Sequence, residues 1–182
     1  MTRILSSALC ALLLAIAPPG SATDLADGAH DFDFNFGTWH THIKRLTKPL
    51  TGSTDSIALD GTVTVRKLWG GSGQIEDFEA DGPNNLHVQG ITLFLYNPNS
   101  RQWSQTWASS RDGVLNPPMF GGFKDGRGEL ISQETLDGRA ILIRGVWSDI
   151  KPDSHHFEQD YSGDGGKSWE AVFSADLTRV KS

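Results

Sequence analysis

An alternation of apolar and polar residues with a period of two recurs along most of this chain. Nine stretches follow it, namely residues 36–44, 57–69, 73–80, 86–96, 102–110, 128–136, 140–150, 155–162 and 168–180. Side chains that alternate in this way lie on the two faces of a β-strand. No stretch has the periodicity of an amphipathic helix, and only residues 30–36 could begin with a short helical turn. The pattern therefore predicts an all-β domain.

Short turn sequences separate these stretches. Asp-Gly pairs that begin at Asp112, Asp125, Asp137 and Asp164 lie between the stretches. Such pairs favour tight hairpins between antiparallel strands. A run of hairpins must protect its edge strands, and closure into a barrel removes the edges altogether. A propeller needs about 40 residues for each of four or more blades, which this chain could barely hold. We therefore expect a single antiparallel up-and-down β-barrel of about eight to ten strands.

The first 22 residues have the organisation of a secretory signal peptide. Arg3 gives a positive start, residues 9–17 form an apolar run, and the small residues before the end of the segment favour cleavage after Ala22. We expect residues 1–22 to be this signal, residues 23–31 to be a flexible arm and residues 32–182 to form the barrel. The mature protein would then be exported, either to the periplasm or as a secreted protein.

Composition excludes several kinds of partner. The formal net charge is −6 and no basic stripe occurs, which argues against nucleic acid. No apolar run after the leader approaches the roughly 20 residues of a membrane-spanning helix. The single cysteine, Cys10, leaves with the leader, so the domain has no disulfide to stabilise it. We expect a monomer or a weak homo-oligomer.

A resemblance to a known family enters at the first strand. Gly37-Thr38-Trp39 resembles the Gly-x-Trp signature of the calycin superfamily, which includes the lipocalins. The resemblance implies that Trp39 plugs the closed end of a barrel and that Arg179, late in the last strand, lies across it. A guanidinium over an indole gains about 0.5–2 kcal/mol. The chain further resembles an exported bacterial family of lipocalin-like domains of unknown function, over segments 31–46, 90–118, 145–150 and 157–170. This resemblance covers nearly the whole mature chain and implies a calycin-type barrel but no catalytic residue.

A second motif lies near the chain end. Residues 162–169, SGDGGKSW, resemble the Asp-box hairpin that recurs in sialidases and other sugar-handling propellers. The motif occurs once, and a propeller would repeat it. We interpret it as a hairpin clasp in which Asp164 and Gly166 shape the turn. Trp169 then begins the closing strand, where it can pack inward, and this strand carries Arg179 towards Trp39.

Several strand faces carry both aromatic and polar side chains, which suggests a binding pocket. Aromatic walls with a few placed polar groups are typical of small-molecule sites, and we predict that the lumen is lined by Trp107, Arg111, Glu134, Trp147 and Glu158. The favoured function is binding of a small, largely apolar molecule. Residues 111–129 have no clear strand pattern and suggest a lid over the barrel mouth.

Two other function classes stay open. The first is a lyase, cyclase, isomerase or hydrolase acting on a bound apolar substrate. It needs a lumen-facing acid or base with a shifted pKa, for which Glu134, Glu158 and His156 are the candidates. The second is a carbohydrate-binding module with exposed tryptophans. The acidic residues Glu76, Asp77 and Glu79 suggest only a solvated strand.

Histidines raise the question of a cofactor. His40 and His42 share one strand face, the geometry that pairs imidazoles on zinc. If Trp39 points inward, however, both point outward. A small barrel can also hold haem through one histidine, as nitrobindin-like proteins do. Because His155 and His156 point to opposite faces of their strand, one of them could face the lumen and bind haem. We predict no cofactor, with zinc and haem as the alternatives.

Overall fold

Ten antiparallel strands form a closed barrel in a computed structural model that describes residues 28–181. The strands are β1 (Gly37–Leu46), β2 (Ser56–Leu68), β3 (Gly73–Gly82), β4 (Leu86–Asn97), β5 (Gln102–Ser109), β6 (Met119–Lys124), β7 (Arg127–Leu136), β8 (Arg139–Lys151), β9 (Ser154–Ser162) and β10 (Glu170–Arg179). Each strand pairs with its neighbours in sequence, and β1 pairs with β10 to close the barrel. The predicted up-and-down, all-β architecture is confirmed.

Every stretch with the period-two pattern became a strand, and one further strand appeared. β6 lies inside the segment that we expected to be a lid, and it pairs with β5 and β7. Its sequence, MFGGFK, has no alternation because two glycines interrupt it. The irregular connection is therefore only residues 110–118.

The predicted leader, residues 1–22, lies outside the described residues. Of the predicted arm, residues 28–31 are described and form a turn in which the Asp31 amide donates to the Gly28 carbonyl. Short 3₁₀ turns lie at Asp33–Asn35, Trp69–Gly71 and Pro83–Asn85. Within residues 28–181, no helix has the length and hydropathy needed to span a bilayer.

Aromatic residues close one end of the barrel, which we call the floor. Phe32 is fully buried there, and its ring centroid lies 5.0 Å from that of Phe94, 5.1 Å from Trp103 and 5.0 Å from Trp147. The Trp103 indole donates to the Gly28 carbonyl at 2.8 Å. The segment before β1 therefore crosses the floor and plugs it, since its aromatic side chain fills the space between the strand ends.

Trp39 and Arg179 complete the floor on the other side. Trp39 is fully buried and donates through its indole N–H to the Asn35 carbonyl at 2.8 Å. The Arg179 guanidinium donates to the carbonyls of Pro152, Phe36 and Phe34 at 2.8, 2.7 and 3.0 Å. Backbone oxygens left unpaired where chain segments converge thus gain donors from one side chain.

The opposite end, the mouth, is formed by the connections at residues 47–55, 83–85, 110–118, 137–138 and 163–169. Residues 110–118 fold back on β5, because the Asn116 amide donates to the Trp107 carbonyl at 2.8 Å and Leu115 bridges to Ala108. This connection completes the barrel wall near the mouth, where β5 and β6 no longer pair.

Candidate functional site

A cavity of about 570 Å³ occupies the barrel lumen between the floor and the mouth. Its apolar wall includes Ile43, Leu59, Val63, Phe78, Val88, Phe94, Trp107, Ile143, Trp147, Phe157, Val172, Phe173, Ala175 and Leu177. Loop residues Pro49 and Asn116 line it at the mouth. A volume of this size falls in the range of sites that enclose drug-sized molecules.

Trp107 forms part of the wall on β5. Its ring lies 5.5 Å from that of Phe78, in an edge-to-face arrangement. Gly90 on β4 makes room for the indole, because a Cβ at that position would lie 2.4 Å from two Trp107 ring carbons. The glycine therefore leaves the space on β4 that the Trp107 indole occupies.

Charged residues at the cavity are concentrated towards the mouth. Arg45, Arg111 and Glu134 line it there, and the Arg111 guanidinium donates to the His87 carbonyl at 3.3 Å. Burial raises the pKa of the nearby Tyr161 phenol, and the Glu134 carboxylate adds to that effect. Among the lining residues in the described chain, Arg45 and Arg111 are the only lysines or arginines.

Buried polar atoms without a partner line the inner part of the cavity. They are Asn35 Nδ2, Thr41 Oγ1, Gln105 Oε1 and His155 Nδ1. An unpaired buried polar group costs about 1–3 kcal/mol, so such groups are uncommon in a structural core. Four of them around one cavity suggest hydrogen-bonding positions for a bound molecule.

Glu76, like Asn35 and Thr41, is a cavity residue that sequence reasoning missed. The structure turns it into the cavity, where it accepts a hydrogen bond from the Thr92 hydroxyl at 2.9 Å, while Asp77 and Glu79 face outward. Burial raises the pKa of Glu76, and the polar side chains of Thr92 and Asn35 oppose that rise. The sequence signal was ambiguous, because Glu76 shares a strand face with Phe78 while the opposite face carries Ile75.

His155, rather than His156, faces the lumen. It is 4% exposed, and its ring lies 4.5 Å from Trp39 and 5.1 Å from Phe34, edge to face in both cases. Burial lowers the pKa of His155 to about 4, and the positive charge of Arg179 contributes. The imidazole is therefore neutral at neutral pH.

Glu158 and His156 require a correction to their expected placement. Phe157 and Gln159 line the cavity, so alternation turns Glu158 and His156 to the outside of the barrel. His156 pairs there with Asp176 at 2.8 Å, and burial on the outer face raises the pKa of Glu158. Of the five residues predicted to line the lumen, Trp107, Arg111, Glu134 and Trp147 do so.

His40 and His42 are exposed on the outer face of β1. The His42 imidazole contacts the Asp60 carboxylate at 2.7 Å. Within residues 28–181, no group of three or more His, Cys, Asp or Glu side chains has the geometry to hold a metal ion. This pair therefore has no third ligand in the described chain.

The Asp-box motif forms the hairpin between β9 and β10. The Asp164 carboxylate accepts hydrogen bonds from the Lys167 amide, the Ser168 amide and the Ser168 hydroxyl, at 3.0, 3.0 and 2.7 Å. Trp169 does not pack inward as expected. It lies on the outside of the barrel, where the Arg144 guanidinium is 4.3 Å from the centroid of the indole ring. Arg144 also binds the buried Asp160 through Nε and Nη2.

No protein-family model and no curated protein matches this chain. Solved structures do resemble it. The S-type phycobiliprotein lyase CpeS from Guillardia theta has a TM-score of 0.56 and 14% sequence identity, over 83% of this chain and 91% of that chain. A de novo designed fluorescence-activating β-barrel has a TM-score of 0.46 and 16% identity, over 83% of this chain and 98% of that chain. The similarity to the lyase, together with the strand order, establishes a lipocalin-like barrel fold.

Proposed function

We propose that this protein binds a small, largely apolar molecule in the barrel lumen. The observation that carries the proposal is the cavity of about 570 Å³, with aromatic and aliphatic walls and a small set of polar groups. Burial of apolar ligand surface against these walls supplies about 25 cal/mol for each Å² removed from water. The polar groups supply orientation, because each one left unpaired by a wrongly placed ligand lowers affinity.

A titration with the neutral fluorescent probe N-phenylnaphthylamine tests this function. We expect saturable binding with enhanced probe emission. Val88→Trp should abolish that binding, because Val88 lines the lumen and a tryptophan there fills it. Gln89→Trp, on the exposed face of the same strand, is the matched control and should bind normally. Equal binding to both variants would place the probe outside the lumen and contradict the proposal.

The resemblance of the sequence to an exported bacterial lipocalin-like family extends the proposal to location. The protein acts outside the cytoplasm, in the periplasm or beyond it, after removal of residues 1–22. The test is the amino-terminal sequence of the protein recovered from the periplasmic fraction and the culture medium. A mature chain that begins at Thr23 is the expected result, and a cytoplasmic chain that retains Met1 would contradict it.

A second candidate function, catalysis on a bound apolar substrate, is favoured by Glu76. A carboxyl group with a raised pKa inside a cavity is suited to general acid–base chemistry. Its test is mass spectrometry of an apolar extract of the producing cells after incubation with the protein. Loss of a substrate and gain of a product with the native protein and with Glu79→Gln, but not with Glu76→Gln, would establish turnover.

The alternative function, carbohydrate binding, needs a flat surface of exposed tryptophans, and the described residues do not form one. Of the six tryptophans, Trp69 alone is highly exposed, with 74% of its surface accessible. Trp39, Trp103 and Trp147 are buried, and Trp107 lines the cavity. Stacking on sugar rings would need at least two exposed aromatic faces side by side, which the described residues do not offer.

A further inference from the structure

The inner part of the cavity has a polar composition that differs from both its walls and its mouth. We define the inner polar pocket as Asn35, Thr41, Glu76, Gln105 and His155, all of which line the cavity. Asn35, Thr41 and His155 are 1%, 3% and 4% exposed, and each has a side-chain atom without a hydrogen-bond partner. Hydrogen-bonding groups this deeply buried are normally paired. The unpaired atoms in this pocket therefore suggest that a bound molecule supplies their partners.

Register brings these residues together from separate strands. Leu177 on β10 pairs with Thr41 on β1 and with His155 on β9, so Thr41 and His155 occupy one row across three strands. His155 packs on Trp39, whose indole binds the backbone of Asn35. Glu76 lies on the other side, joined to Thr92 across the β3–β4 pairing. The pocket is therefore assembled at the closed end of the lumen.

The charges around the pocket disfavour an anionic ligand group. Arg179, the cation at the floor, uses its donors on the carbonyls of Pro152, Phe36 and Phe34 and does not line the cavity. The lining arginines are Arg45 and Arg111, towards the mouth. An anion at the floor would thus meet a carboxyl group and a neutral imidazole. A negatively charged ligand group is better placed at the mouth.

The available atoms include both donors and acceptors. Gln105 Oε1 is an acceptor, and Thr41 Oγ1 can act as a donor or an acceptor. Asn35 Nδ2 is a donor that lies close enough to the Glu76 carboxyl group to oppose the burial-driven rise in its pKa but makes no well-aligned hydrogen bond there. An uncharged group with an N–H or O–H beside a carbonyl satisfies such a mixture, whereas a purely apolar group leaves every atom unpaired. A ketone or an ether would satisfy only the donors.

We propose that the ligand of the lumen carries an uncharged donor-and-acceptor group, of the amide or lactam kind, and that this end enters first and binds in the inner polar pocket. The inference rests on the proposed function and adds the chemical class of the ligand and its orientation. The apolar body of the ligand then contacts the aromatic wall at Phe78 and Trp107. Any negative charge on the ligand remains at the mouth, near Arg45 and Arg111.

The test compares four probes that share a naphthalene ring and differ in one substituent. They are naphthalene carboxamide, naphthoate, naphthylmethylammonium and methylnaphthalene, each measured at neutral pH by displacement of N-phenylnaphthylamine. We expect the carboxamide to bind about tenfold more tightly than methylnaphthalene, since one or two net hydrogen bonds are gained. The naphthoate and the ammonium probe should bind more weakly than the carboxamide.

Two near-isosteric variants place the effect in the pocket. Thr41→Val and Gln105→Leu should each reduce the preference for the carboxamide over methylnaphthalene severalfold. Thr106→Val, on the outer face of β5 beside Gln105, is the control and should leave that preference unchanged. Urea denaturation checks folding, and Thr41→Val should be at least as stable as the native protein because it removes an unpaired buried hydroxyl.

The outcomes separate this inference from the proposed function. If no probe and no N-phenylnaphthylamine binds, the proposed function itself fails. If they bind but methylnaphthalene equals the carboxamide, water satisfies the pocket and the inference is overturned while lumen binding stands. Tightest binding by the naphthoate or by the ammonium probe would also overturn it. So would a preference that survives both pocket variants.

Discussion

The guanidinium of Arg179 lies over the indole of Trp39, 4.0 Å from the ring centroid. The same guanidinium donates three hydrogen bonds to backbone carbonyls of Pro152, Phe36 and Phe34. Arg179 therefore joins the last strand, the β8–β9 connection and the segment that plugs the floor. Since these segments are far apart in sequence, this one side chain stabilises the closure of the barrel.

Arg179→Lys should lower the free energy of unfolding by about 2–4 kcal/mol, because an ammonium group cannot reproduce the three-directional donation or the flat contact with the indole. Urea denaturation followed by tryptophan fluorescence measures this change. Arg139→Lys, at an exposed strand start, is the matched control and should change stability by less than about 0.5 kcal/mol. Similar losses in both variants would show that Arg179 has no special role at the floor.

Gly37 is required by the same arrangement. Its φ is +117°, and a Cβ at this position would lie 2.6 Å from Arg179 Nη1. We expect Gly37→Ala to destabilise the protein by about 2 kcal/mol or more, through backbone strain and displacement of the guanidinium. Gly122→Ala is the control, since a Cβ at Gly122 meets no atom within 4 Å. Thermal denaturation of the two variants measures the difference. An equal Tm for Gly37→Ala and Gly122→Ala would contradict the prediction.

Asp164 should make the hairpin between β9 and β10 sensitive to acid. Hydrogen bonds from the Ser168 amide and hydroxyl, then from the Ser162 hydroxyl, hold the pKa of the Asp164 carboxyl well below its usual range. A depressed folded-state pKa contributes stability above the unfolded value of 3.8, and that contribution is lost as the pH falls towards the folded value. Asp164→Asn should therefore lower Tm by several degrees at neutral pH and by less below pH 3.8.

The control for Asp164 is Asp137→Asn, at another exposed turn aspartate. Asp137 has a positive φ of 49°, which asparagine also tolerates, so this substitution adds no backbone strain. Its Tm should stay close to that of the native protein across the same pH range. A constant difference in Tm between Asp164→Asn and the native protein at every pH would contradict the linkage.

His155 should produce a second, separate pH dependence. Its pKa of about 4 lies below the unfolded value of 6.5, so the unfolded chain takes up a proton first as the pH falls. Stability is therefore lost between about pH 6.5 and pH 4, by up to about 3 kcal/mol. His155→Gln should flatten the dependence of unfolding free energy on pH in this window, whereas the exposed His40→Gln should leave the slope unchanged. An unchanged slope in His155→Gln would refute the assignment.

The fold could be predicted because the period-two pattern is a local property of each strand. The predicted boundaries of β2, β4 and β9 agree with the structure to within one residue at each end. β6 was missed because a strand with two glycines and little alternation is recognised only through its pairing with β5 and β7. Pairing is a tertiary contact, and the local pattern does not contain it.

The candidate site was less predictable, because alternation fixes which residues share a face but not which face is inside. On β9, Phe157 and Tyr161 share one face while Glu158 and Asp160 share the other, so the alternation itself favours an inward Phe157. Glu158 was placed on the wrong side because the lumen was expected to be partly polar. Glu76 was hidden within an acidic cluster, because each face of β3 carries an apolar residue, Ile75 on one and Phe78 on the other. Its burial became visible only once Phe78 and Thr92 were seen to face the lumen.

The sequence by itself determined nine of the ten strands and the turns between them, since these depend on backbone geometry and on short-range patterns. The contact between Trp39 and Arg179 at the floor was implied only by the resemblance to the calycins, because the two residues are far apart in sequence. The tertiary structure alone decided which side chains face the cavity and which polar atoms there lack partners. Those properties arise when ten strands close with one particular register and tilt. Only closure brings Asn35, Thr41, Glu76, Gln105 and His155, drawn from distant parts of the chain, around one cavity.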